Sequence, residues 1–406
     1  MDVRGAVDQA ARDSYGRLLA YLASRSRDLA AADDALADAF RRALETWPRT
    51  GVPARPEAWL LTVARNRLLD AARHARVHAS TLPTLVALAA EAAQLASVDD
   101  PFPDERLKLL FVCAHPAISP AIRTPLMLQA VLGLDAARIG AAFVVQPWAM
   151  GQRLSRAKAK IRDARIRFEV PPPHELASRL EAVLDAVYAV YGSGWDDLTG
   201  ADPRRRDLTH ESIELGRLLV QLLPAEPEAR GLLALMLHCE ARRDARRSAD
   251  GGYVPLNEQD PRRWSTQLID EAERHLLSAS RAGRLGRYQL EAAIQSAHAQ
   301  RARSGRTDWE AIALLYEGLV RVCPTLGAQV GRAAAVGEAR GAAAGWQLLE
   351  RLPEESVARY QPYWAVAGHL LDRLGRLDRA RAAFDRAIAL CEDVAVRAYL
   401  QRRAAG

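Results

Sequence analysis

Residues 150–162 read MGQRLSRAKAKIR. Five cations, Arg153, Arg156, Lys158, Lys160 and Arg162, stand there without a single acid. Met150, Leu154, Ala157 and Ile161 run through them at three- and four-residue spacing. That is one apolar stripe of a helix, which must pack on something. Arg153, Arg156 and Lys160 fall along one flank, and Lys158, Arg162 and Arg165 along another. Such a helix is anchored by one side and offers positive charge on the rest. For any charge run the plain alternative is a solvated basic face.

The preceding residues decide between these. LDAARIGAAF (134–143) reads as a short amphipathic helix, VVQ as a turn, and Pro147 as the start of the basic helix. Two helices joined by a tight turn, the second rich in donors, make the helix-turn-helix pattern. Gln152 and Arg153 lie near the start of the second helix. Arginine fits guanine and glutamine fits adenine by paired hydrogen bonds, so these two are the candidates for base edges. Arg156, Lys158, Lys160 and Arg162 are candidates for phosphate contacts. Ser119 and Pro120 start the helix before the pair and Gly133 stops it; Pro125, inside that helix, is expected to kink it.

Upstream, ADDALADAFRRALETW places Leu36, Phe40, Ala43 and Trp47 on one helical face with acids opposite. PRTGVPARP (48–56) then breaks the chain. The next helix, 57–76, carries Trp59, Val63 and Leu69 on an apolar face, and Arg65, Asn66, Arg73 and Arg76 as polar and basic groups. Residues 77–104, Ala-rich and then acidic with prolines, read as a linker with room for one short helix.

Downstream, EVPPP (169–173) is a boundary signal, and the chain beyond it reads as helical pairs to its end. In 361–390, Trp364, Gly368, Gly375, Ala380, Phe384 and Ala387 fall at the spacing of a tetratricopeptide (TPR) motif. The insert at 248–260, with Asp250-Gly251, reads as a hairpin turn interrupting the array.

A length of 406 residues implies two or three domains. Abundant Ala and Arg with only 6% aromatic residues favour an all-α fold. The net charge of +6 is modest for the length, so the clustering of charge carries the information. Cys113, Cys239, Cys323 and Cys391 form no CxxC pair and suit a reducing compartment. No apolar leader or membrane-length stretch is present, so a cytoplasmic protein with no membrane association is expected.

Enzyme readings are weak. Gly192-Ser193-Gly194 is not a GxSxG elbow, and no strand is available to present one. His74 and His78 have no third metal ligand, Cys113-x-His115 suits a packed loop, and no glycine-rich phosphate loop occurs. A non-enzyme without cofactor or metal is expected.

DDALADAFRRALETWP, PEAWLLTVARNRLLDAARHAR and the stretch 119–162 resemble regions 2 and 4 of extracytoplasmic-function (ECF) sigma factors of the sigma-70 class. FVCAHP, RFEVPPPHEL, NEQDPRRW, GRYQLEAAI and TDWEAIALLYEGL resemble the ECF factors with a long TPR-like C-terminal extension. The resemblance implies region 2 at 8–76, the linker at 77–104, region 4 at 105–168 and an extension of regulatory character at 171–406. It implies core RNA polymerase and promoter DNA as partners. Asp34, Asp38 and Arg41 would face the β′ clamp, and region 4 the β flap. The loop 49–56 with Trp59, Arg65, Asn66, Arg73 and Arg76 would read the −10 element. The six basic-helix residues Gln152, Arg153, Arg156, Lys158, Lys160 and Arg162 would hold the −35 element. A protein or peptide regulator on the C-terminal repeats is a further candidate partner.

The chain departs from the family pattern at several positions. Ala37 stands where Gln is usual, Gln146-Pro147-Trp148-Ala149 replaces a Pro-Glu-x-Thr-like turn, and Gly192-Ser193-Gly194-Trp195 replaces an Asn-Glu-Gly-aromatic stretch. The competing function is a helical-repeat scaffold whose helix-turn-helix binds DNA or a protein without polymerase. A scaffold has no need of ADDALADAF followed by AWLLTVARNR.

Overall fold

The computed structural model describes residues 3–74, 104–143, 145–195 and 203–405. Among these the chain is all-α, and the β element present is an isolated bridge between Arg247 and Tyr253. It forms two compact units, Met1–Val190 and Tyr191–Gly406. The expected linker (77–104) and Arg76 lie outside the described residues, except for Asp104.

The first unit contains α1 (Val3–Ser26), α2 (Leu29–Thr50), α3 (Pro56–His74), α4 (Arg106–Cys113), α5 (Pro120–Leu132), α6 (Ala136–Ala142), α7 (Pro147–Asp163) and most of α8 (Pro173–Trp195). Asp28 starts α2 by accepting hydrogen bonds from the Ala30 and Ala31 amides at 3.0 and 3.1 Å. As the periodicity predicts, Leu36, Ala43 and Trp47 are buried, while Phe40 stacks on Tyr15 at 6.1 Å. The expected break falls at 51–55, a little after Pro48, because α2 runs through that proline to Thr50 and ends at Gly51, whose φ is 83°. A proline in the last turn removes only one helical hydrogen bond, and buried Trp47 holds that turn down.

On α3 the buried positions are Leu60, Leu61 and Ala64. Trp59, Val63 and Leu69, expected on the apolar face, are only half-buried. Pro125 lies within α5, which spans 120–132, and is buried in its second turn. Helices α1 and α5 approach backbone to backbone at Gly16. A Cβ built there would stand 1.9 Å from the Val131 carbonyl oxygen.

The proline run 171–173 does not separate the two compact units. Thr124 donates its hydroxyl to the Ala186 carbonyl at 2.8 Å, and Arg179 reaches the Phe111 carbonyl at 2.8 Å. Val183, Leu184 and Val187 of α8 are buried. Helix α8 up to Val190 therefore belongs to the first unit, and the second begins in its last turn, at Tyr191.

The second unit runs through α9 (Pro203–Leu222), α10 (Pro227–Glu240), α11 (Thr266–Ser280), α12 (Arg287–Ala299), the single turn α13 (Arg301–Ser304), α14 (Trp309–Val322), α15 (Leu326–Arg340), α16 (Ala342–Leu349), the single turn α17 (Glu354–Val357), α18 (Gln361–Arg373), α19 (Leu377–Ala389) and α20 (Val394–Ala405). At 361–390 a small residue on one helix faces a large one on the next. A Cβ on Gly368 of α18 would stand 2.7 Å from the Phe384 ring of α19, so glycine makes room for that ring. Gly375 turns the chain between the two helices with φ of 69°. The insert forms a tight turn, with the Ser248 amide donating to Gly252 and the Gly251 amide to Ser248, both at 3.0 Å. Glu228 of α10 takes the place of an N-cap for α12. Its carboxylate accepts the Tyr288 and Gln289 amides at 2.9 and 3.1 Å.

His238 on α10 is 2% exposed. Neither ring nitrogen has a hydrogen-bond partner, and the Glu273 carboxylate, at 3.6 Å, lies beyond reach. Burial, reinforced by Arg242, holds its pKa down to about 3 from 6.5. The unfolded chain therefore takes up a proton near pH 6.5 that the folded chain refuses. The stability it contributes is full above that pH and falls as the pH drops toward 3. Between about pH 7.5 and about pH 5 the loss should reach about 2 kcal/mol for this one group. Denaturant unfolding at both pH values should show His238→Leu less acid-sensitive by that amount; an unchanged pH dependence would contradict it.

Candidate nucleic-acid interface

The basic helix α7 packs by its predicted stripe. Met150, Leu154 and Ile161 are each 1% exposed and Ala157 is 6%. Its N-terminal side is set by α6, which Asp135 caps through the Arg138 amide at 2.7 Å. Gln152, Arg153, Arg156, Lys160 and Arg162 are exposed, as a nucleic-acid surface requires. Arg156 leans on the Gln152 carbonyl at 3.4 Å, and Arg162 meets Asp163 at 3.2 Å.

Lys158 is different, and its expected place among the exposed cations is corrected. Its ammonium pairs with the Asp33 carboxylate of α2, and the two side chains are only 11% and 14% exposed. Asp33 also accepts the Tyr15 hydroxyl from α1. Burial, and then the Asp33 charge, raise the Tyr15 pKa well above its usual value. No sequence spacing signals this contact, because its partners lie 125 residues apart.

Sequence reasoning also passed over Trp148. It opens the exposed end of α7 with 69% of its surface accessible. One turn ahead of Gln152, it adds an apolar plane to the donors there. The signal was present as an aromatic residue off the apolar stripe.

The residues singled out on α2 lie together. Asp34 and Arg41 are exposed, and Asp38 is half-buried between them. Arg41 bridges Asp38 and Glu45, both at 2.6 Å. The Arg41 hydrogen bond, outweighing a small burial effect, lowers the Asp38 pKa. A groove of about 480 Å³ runs between these residues and Arg67, Leu68 and Ala71 of α3. Arg67 is thus a further member of the cluster. Trp59 packs edge-on against Trp47 at 5.5 Å, so its ring is anchored as well as half-exposed. Asn66 is exposed beside half-buried Arg65. The α3 backbone carries Arg73, whose side chain, like all of Arg76, lies outside the described residues. The start of α3 is fixed by Ser14 of α1, which donates to Glu57 at 2.6 Å.

Elsewhere, Cys113 is fully buried and burial pushes its thiol pKa up, away from the thiolate that binds metal. Among the described residues no cluster of three metal-binding side chains occurs, and no helix is long and apolar enough to cross a membrane.

Comparison with known proteins supports the α1–α3 arrangement. Residues 11–77, which include most of α1 and all of α2 and α3, match the family profile described as Sigma-70 region 2. Residues 179–280 match a profile described as a family of unknown function (DUF6596). An uncharacterized protein of Rhizobium meliloti (strain 1021) is 41% identical over 392 residues, which is 96% of this chain and 92% of that protein. The chain belongs to the same family as this relative. No solved structure matches the chain.

The Lys158 contact makes a direct prediction. Lys158→Met strands a buried carboxylate and should weaken α7 docking by about 3 kcal/mol, a roughly hundredfold loss of hydrogen-exchange protection in α7. Lys160→Met, at an exposed position, should leave protection within about twofold. The reverse order would put Lys158, not Lys160, on the open surface.

Proposed function

We propose that the chain is a sigma factor of the ECF type that brings core RNA polymerase to specific promoters and starts transcription there. The observation that carries this is the conjunction of a match to sigma-70 region 2 at residues 11–77 with a basic helix whose donors, Lys158 apart, face outward. The α2 cluster of Asp34, Asp38 and Arg41 engages the β′ clamp of polymerase, with Arg67 beside it. The groove face of α3, through Trp59, Arg65, Asn66, Arg73 and Arg76, takes the −10 element. Captured bases need an aromatic or amide partner and a cationic path for the strand.

Helices α6 and α7 act as the helix-turn-helix of region 4. Gln152 and Arg153 read bases of the −35 element, and Trp148 packs on a thymine methyl or sugar. Arg156, Lys160 and Arg162 hold phosphates. Lys158 serves the fold and not the DNA. The chain makes no covalent chemistry of its own, and the residues after α8 form a TPR-like extension that controls activity. A truncation testing that control belongs within residues 196–202. A cut at the proline run would strip α8 from the first unit.

Co-purification with core polymerase tests the first contact. Asp34→Lys should abolish it, and unchanged binding would remove the polymerase role from α2. On promoter DNA, Arg153→Ala should cost about 1–3 kcal/mol and relax preference at one base position. Lys160→Ala should weaken all duplexes alike and reduce the salt slope by about one. Identical behaviour of the two variants would refute the division of labour along α7.

A further inference from the structure

The second unit contains a half-open cavity of about 480 Å³, within the size range of small-molecule sites. It lies among residues 256–264, at and just after the end of the insert, the ends of α12 and α13, and α14, α15, α18, α19 and α20. Three features of its wall point to one kind of occupant.

The first is an unsatisfied donor. Trp264 lines the cavity and is 5% exposed, and its buried indole N–H meets no acceptor. Buried donors of this kind are nearly always paired. The second is an unbalanced charge. Arg301 donates to the Asn257 and Gln259 carbonyls at 2.6 and 2.5 Å and stands 5.1 Å from the Trp264 ring centre. No carboxylate among the described residues pairs with it. Other charges in the wall are matched, since Glu338 meets Arg373 and His369 at 2.7 and 2.8 Å, and Arg403 meets Asp372 at 3.3 Å. Glu258 lines the cavity at an exposed position and forms no ion pair with Arg301. The third is the aromatic lining. Trp309 stands edge-on to His298 at 5.4 Å, and Tyr316, Phe384 and Tyr399 complete a surface suited to a flat ring.

We propose that this cavity binds a small planar aromatic carboxylate, its ring against Trp309 and Tyr316 and its charged group toward Arg301 and the Trp264 N–H. The carboxylate supplies both the acceptor that the indole lacks and the counter-charge that the guanidinium lacks. The stretch from the insert to Trp264 then has a purpose, since it brings the donor wall to the open side of the helical array. This inference stands apart from the polymerase contacts and does not depend on them.

Isothermal titration of the full chain with 2-naphthoate tests it. A single saturable site is expected, with a Kd between about 10 and 500 µM. Neutral 2-naphthamide and non-aromatic cyclohexanecarboxylate should each bind about tenfold more weakly or worse. Arg301→Gln and Trp264→Phe should each weaken 2-naphthoate by about tenfold. Trp346→Phe, which removes another unpartnered indole N–H at a site outside the cavity, should leave binding unchanged. Absence of binding at about 5 mM would overturn the proposal. So would equal affinity for the amide, or undiminished binding in both cavity variants. The comparison of acid with amide is made on the unaltered chain, so the proposal remains refutable even where a variant fails to fold.

Discussion

A single carboxylate, Asp33, joins three helices of the first unit. It accepts the Tyr15 hydroxyl from α1 and pairs with the Lys158 ammonium from α7. Both charges are largely removed from water, and neither could stay there alone. The net energy of such a pair is small, because desolvation offsets most of the attraction. What the pair fixes is rotation. Residues turn about 100° apiece around a helix, so with Lys158 facing inward, positions 153, 156 and 160 lie well round toward the outside. The apolar stripe sets the same orientation through Met150, Leu154 and Ile161. Specific cations are thereby presented to solvent by one cation that is not.

The same contact has a consequence for action. Region 2 and the α6–α7 pair share one compact unit, and Gly16 and Val131 touch within it. A sigma factor engages two promoter elements with separate regions. The proposed function therefore requires the Asp33–Lys158 contact to yield when polymerase and DNA bind. A buried ion pair suits a joint that must open, since water re-solvates both charges once they part.

Helical periodicity carried most of the fold. The stripes of α2 and α7, the cap at Asp135, the stop at Gly133 and the tight turn at 248–252 all follow from local chemistry. Prolines gave positions only roughly. Pro48 sits in the last turn of α2, ahead of the break at 51–55, Pro125 sits inside α5, and the run at 171–173 marks a turn inside a unit. Long-range pairing was not legible. Nothing near Lys158 announces Asp33, nothing near Arg287 announces that Glu228 caps its helix, and nothing around Trp264 announces a buried indole N–H without an acceptor. Of the site residues, those with a local pattern, such as Gln152 and Arg153, were found at exposed positions, and the cavity, built from one loop stretch and seven helices, could only be seen folded.

The most direct measurement is transcription in vitro. Core RNA polymerase and the full chain would be mixed with fragments of the source genome, and transcript 5′ ends sequenced. The account predicts discrete start sites, absent with core enzyme alone, each preceded by the same pair of spaced sequence elements. Stable binding of the chain to DNA with no start sites beyond those of core enzyme would contradict it, and would leave a DNA-binding scaffold in its place.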